Sequence, residues 1–155
     1  VWLHRVGTDP ALDVEVFGAG RDLTSYFGVS VSRDGRWLIV SASAGTAPRT
    51  DVWIADLAAA GGAAPTFVPV TVGLDAQTAA WVGRDGRLYL HTNLDASRGR
   101  LAVTDPSDPG VPHWRELLAE DPEAVLEDEL DATTPPSFAP AHSVPVPAGF
   151  EEGAA

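Results

Sequence analysis

Cysteine, lysine and methionine do not occur anywhere in these 155 residues. Without cysteine there is no disulfide, no thiolate nucleophile and no cysteine-based metal site; the compartment stays open, with the cytoplasm favoured. Without lysine, positive charge rests on ten arginines against 22 aspartates and glutamates, for a formal net charge of −12. So acidic a surface repels phosphate, which argues against nucleic acid as a partner. Anionic membrane surfaces repel it too. No stretch approaches the roughly 18 uninterrupted apolar residues of a membrane span. The N-terminus shows neither the charged region nor the apolar run of a signal peptide. It also lacks an initiator methionine, and "VWLHRVG" opens in the middle of what reads as a strand, so a chain cut from something longer is expected. The length suits one domain, enough to bury about 68–70% of the unfolded surface if compact.

What the chain does contain is a repeat. "VSRDGRWLIV" at 31–40 returns as "VGRDGRLYLH" at 82–91, and "VWL" at 1–3 returns as "VWI" at 52–54, each fifty-one residues on. A weaker third copy is "RLAVTD" at 100–105. Repeats of this length mark solenoids, propellers or arrays. Each unit reads as four short strands, at about 26–32, 36–43, 51–57 and 66–72, then at about 76–82, 87–92, 99–105 and 113–119. β-Branched and aromatic residues crowd the strands, while Gly, Pro, Asp and Asn punctuate the gaps. The Asp34-Gly35 and Asp85-Gly86 pairs suit tight hairpins, whose central residues need positive φ. A calcium loop is the sharper reading of "RDGR", but the other acidic ligands such a loop needs are missing.

The expected fold is therefore all-β: a partial β-propeller of about two and a half four-stranded antiparallel blades. It divides into a half blade at 1–18, full blades at 19–73 and 74–120, and an acidic, then proline-rich tail at 121–155. Five prolines between 135 and 147 rule out a central strand there, and the tail is expected to be disordered. A β-sandwich could hold as many strands, but nothing would make its sequence repeat.

Four ordered motifs, "HRVGTDPALDVEVF", "VSRDGRWLIVSASAGTAPRTDVWIADL", "LHTNLDASRGRL" and "VPHWRELLAEDPEAVLED", resemble the propeller domain of the prolyl oligopeptidase family of serine peptidases. The resemblance runs from residue 1 to about residue 128. It implies a seven-bladed propeller over an α/β-hydrolase domain whose Ser-Asp-His triad cuts short peptides after proline. This chain would supply some of the blades and none of the hydrolase. Its implied partners are the missing blades, the hydrolase domain and, in the whole enzyme, a short peptide.

No catalytic residue, metal ligand or cofactor site is expected here. No serine carries the two glycines of a Gly-x-Ser-x-Gly nucleophile elbow. His4 and His91 read as strand residues, His113 begins a strand and His142 lies in the tail; their spacing fits neither a metal site nor a triad. The resemblance implies two substrate-binding positions, Tyr26 on the innermost strand and Thr46 in the loop after the "RDGR" strand. Their plainer readings are a strand cap and a loop former. Trp2, Trp37, Trp53, Trp81 and Trp114 are expected to pack between blades rather than stack on a ligand. Arg98 and Arg100 could hold a peptide carboxylate, with a solvated loop or a salt bridge as the alternative. A different class of function, a stand-alone β-repeat module that binds a partner through a sheet edge, also fits so short an array.

Overall fold

The computed structural model describes residues 1–126, apart from Leu23 and Gly62. Three antiparallel sheets follow one another along the chain. A two-stranded sheet pairs β1 (Trp2–Leu3) with β2 (Val14–Glu15). The second is a meander of β3 (Ser25–Val31), β4 (Trp37–Ala44), β5 (Asp51–Asp56) and β6 (Phe67–Thr71). The third repeats it with β7 (Thr78–Val82), β8 (Leu88–Thr92), β9 (Arg100–Thr104) and β10 (Arg115–Leu118). All eight strands of the two full units fall where the sequence placed them, to within about two residues. The expected disordered tail lies, from residue 127 on, outside the described residues.

Burial explains the strand compositions. Trp37, Leu38, Ile39 and Val40 are buried in succession on β4, as are Val52 to Ala55 on β5. Alternate side chains leave opposite faces of a strand, so an unbroken apolar run marks a strand covered on both sides. One side holds Trp37, Ile39, Val52, Ile54 and Val70, which share a core with Leu88 and Leu90 of the third sheet. Ala80, Val82 and Trp114 pack against its margin. The other side meets Phe17, whose ring centroid lies 5.0 Å from Trp53, 4.8 Å from Phe67 and 5.9 Å from Phe27. Arg21 caps this cluster, 4.2 Å above the Trp53 ring.

The repeated "RDGR" turns are built differently from the expectation. In both, only the glycine takes positive φ, 74° at Gly35 and 77° at Gly86. The aspartates instead receive backbone N–H groups, from Arg36 at 3.1 Å and from Arg87 at 3.2 Å. The closing bonds also differ. Ser32 N donates to Trp37 O, whereas Gly83 N donates to Arg87 O, so the second hairpin is shorter by one residue.

Local chemistry moved a few boundaries. The strand expected to reach residue 57 ends at Asp56, because its carboxylate caps a short helix, α1 (Leu57–Ala60), accepting from Ala58 N at 2.9 Å and Ala59 N at 3.1 Å. His113 does not begin a strand. It ends a 3₁₀ turn, Val111–His113, in which Pro112 needs no N–H partner. His4 falls just past β1, and its Nδ1 meets Asp13 Oδ1 at 2.7 Å.

Candidate functional site

The two implied substrate-binding residues sit at one end of the second sheet. Tyr26 is the second residue of β3, opposite Ser43 of β4, and is 73% exposed. Thr46 occupies the turn just past β4, which is held by Gly45 N donating to Thr24 O at 3.2 Å and Ala47 N donating to Ala44 O at 3.1 Å. Both side chains are open to solvent. Two residues beyond Tyr26, Gly28 faces Ser41; a Cβ there would lie 2.6 Å from the Ser41 hydroxyl, so a larger residue would push into β4. Ser43 Oγ reaches Thr50 Oγ1 at 3.3 Å across the loop. The result at this end is a small hydroxyl-lined surface with one exposed phenol.

At the same end, between the two full sheets, lies a depression of about 350 Å³, with Thr50, Gln77, His91, Asn93, Arg98 and Leu126 in its wall. Neither Tyr26 nor Thr46 lines it. Its polar groups serve the fold. Gln77 N donates to Asn93 Oδ1 at 2.7 Å, Asn93 N donates back to Gln77 O, and the hydroxyls of Thr78 and Thr92 meet at 2.8 Å. Thr50 N donates to Ala76 O where the chain crosses from one sheet to the next, and Leu126 N donates to Arg98 O in the matching place one unit later.

The arginines of "SRGR" are likewise engaged. Arg98 Nη1 donates to the carbonyl of Pro122. Glu120 accepts from Ser97 Oγ at 3.0 Å and from Arg98 N at 2.6 Å, and these two donors hold its carboxyl below its usual pKa. Residues 120–126 therefore run along the 97–99 loop. Arg100 Nη1 lies 3.6 Å from Glu116 Oε2, while its buried Nε has no hydrogen-bond partner.

His4 pairs with Asp13 and His113 with Asp108, both at 2.7 Å and both exposed; His91 lines the depression, and His142 lies outside the described residues. Among the described residues, no three His, Asp or Glu side chains gather where a metal could bind. The tryptophans divide. Trp37 and Trp53 are buried, Trp114 packs on the core with Nε1 donating to Pro109 O, and Trp81 stacks on Tyr89 at 5.8 Å. Trp2 departs from the expectation: it is 63% exposed.

Successive four-stranded antiparallel meanders, stacked face to face over a shared apolar core, define a domain of the β-propeller type. The chain belongs to the family described as prolyl oligopeptidase, N-terminal beta-propeller domain, whose model matches residues 1–135. It is 30% identical over 125 residues to a prolyl endopeptidase of Elizabethkingia meningoseptica, a match covering 81% of this chain and 17% of that protein. It is 27% identical over 128 residues to prolyl oligopeptidase A of Amanita bisporigera, with the same coverage on both sides. A solved prolyl endopeptidase superposes with a TM-score of 0.67 at 28% identity, over 78% of this chain and 17% of that one. Prolyl oligopeptidase B of Galerina marginata superposes at 0.69 over 81% of this chain and 18% of its own; its 23% identity speaks to fold alone. The chain thus spans about a sixth of the length of the relatives it matches.

Proposed function

We propose that this chain is part of the gating propeller of a serine endopeptidase that cleaves short peptides after proline. Its contribution is steric and orienting: stiff blades hold Tyr26 and Thr46 at the rim of a pocket whose chemistry is performed by an α/β-hydrolase domain. One observation carries the reading. The family's propeller architecture comes with both implied contact residues exposed at one end of one blade. The blade divisions at 19–73 and 74–120 belong to this proposal, supported by one complete meander within each. So do the partners: further blades, the hydrolase domain and a short peptide, with the −12 charge arguing against nucleic acid. Among the described residues, no helix is long and apolar enough to cross a membrane. The cytoplasm is the proposed compartment.

The coding sequence around this chain, read in frame, supplies the first test. It should encode more blades and a Gly-x-Ser-x-Gly elbow; a start codon directly upstream and a stop directly downstream would overturn the reading. In that longer peptidase, Tyr26→Ala should raise KM for peptides extended beyond the proline about threefold to tenfold while leaving kcat nearly unchanged, as expected when only uniform binding is lost. The purified 155-residue chain should not turn over a proline-containing chromogenic peptide. Turnover blocked by a serine-directed inhibitor would contradict the assignment.

A further inference from the structure

The two full sheets have four outer strands between them, and three of their edges are blunted. β6 carries Pro69, which cannot donate to a further strand. β10 carries Arg115 and Glu116 and a register shift after Glu116. β7 is short, five residues against the seven of β3.

β3 has none of these defences. It is the end strand of its sheet, seven residues long, with no proline and no charge in "SYFGVSV". The direction of its backbone groups follows from two bonds. Ser32 N donates to Trp37 O at 2.8 Å and Gly45 N donates to Thr24 O at 3.2 Å, with unbroken register between them. Hydrogen-bonded pairs alternate in an antiparallel ladder, so the even-numbered residues of β3 bond to β4 and the odd-numbered ones point their N–H and C=O groups the other way. Ser25 N is taken by Asp22 O. Among the described residues, Phe27, Val29 and Val31 have no such acceptor elsewhere. Tyr26 lies next to Phe27, its side chain on the opposite face of the strand.

We infer that the free edge of β3 receives an extended peptide as a fifth antiparallel strand, continuing the β6–β5–β4–β3 ladder past Tyr26. This rests on the peptidase reading above and specifies how its substrate is held. Backbone pairing accepts many sequences. The residue before a proline is also biased toward extended backbone, so the segment upstream of a cleavable proline arrives in the conformation the edge requires.

The probe is acetyl-Thr-Val-Thr-Val-Thr-Gly-Pro-amide, added to the 155-residue chain and followed by amide hydrogen exchange. With peptide at about ten times its Kd, the amides of Phe27, Val29 and Val31 should slow about tenfold, while those of Gly28 and Ser30, already bonded to β4, change little. N-methylation of one alternating set of peptide amides should abolish the effect, and N-methylation of the other set should leave it. Val29→Pro removes an edge-directed N–H without breaking a β4 bond and should lose the peptide; Val29→Thr should keep it. No slowing at the three amides with millimolar peptide, or slowing at β7 instead, overturns the inference. If Val29→Pro misfolds, the N-methyl pair still decides. A negative result alongside an intact Tyr26 effect on KM would remove the edge pairing and leave the peptidase reading standing. An in-frame stop directly downstream would do the reverse.

Discussion

Arg36 shows how much of this fold is settled by single side chains. Its Nη2 meets Asp56 Oδ2 at 2.8 Å, and its guanidinium lies 4.8 Å above the Trp37 ring. The other Asp56 oxygen caps α1, so one carboxylate ties the first hairpin to the helix after β5. Arg36 holds the Asp56 carboxyl below its usual pKa, and the Ser32 hydroxyl does the same to Asp34. For carboxyls whose folded pKa is depressed, the stabilisation is complete above about pH 4 and is lost as pH falls through the folded values. The urea midpoint should therefore drop as pH is lowered below about 4, and Asp56→Asn should flatten that dependence. An unchanged slope in the variant would show that other carboxylates carry it. The sequence announces the turn but not this partnership, since Arg36 and Asp56 are twenty residues apart.

At the scale of elements, β4 and β8 have equivalent positions but different surroundings. Trp37 and Ile39 correspond by repeat to Leu88 and Leu90, and all four enter one core. They enter it from opposite sides: Trp37 and Ile39 look toward the third sheet, Leu88 and Leu90 back toward the second. On the neighbouring strands, Val29 pairs with Val40 on the face that meets Phe17, and its counterpart Ala80 pairs with Leu90 on the face that meets the second sheet, so both look back toward the preceding unit. The one-residue difference between the hairpins puts β4 and β8 out of step, because a unit slip in register moves every side chain to the opposite face. Leu90 is fully buried, and Leu90→Ala should cost about 2–5 kcal/mol in chemical denaturation. The segment after β10 makes a separate prediction. Glu120→Ala removes the acceptor shared by Ser97 and Arg98, so the amides of Arg98 and Leu126 should exchange faster while those of β4 and β5 stay protected. Equal loosening of β5 would mean that residues 120–126 support the whole domain.

For the molecule as a whole, stability is shared across the seam between the two full sheets. Ile54 and Leu90 come from different sheets but belong to one cluster, so Ile54→Val and Leu90→Ala should couple by about 0.5–3 kcal/mol in a double-mutant cycle. Additive effects would show that the two sheets behave as independent units. Trp53 anchors the opposite side, against Phe17 and Arg21, so the second sheet is braced from both directions.

Strand number, strand limits, the repeat and the family were all legible in the chain, because they rest on local chemistry: period-two patterning, turn residues and the order of short motifs. The candidate site was legible only as two positions implied by resemblance. That Tyr26 and Thr46 share one exposed end, that Arg98 is spent on a backbone carbonyl, and that Trp2 lies open while its repeat partner Trp53 is buried were decided by tertiary structure. A sequence repeat specifies similar strands, but not which neighbour covers each face. Coverage depends on the sheets stacked to either side: the second sheet meets Phe17 on one face and the third sheet on the other.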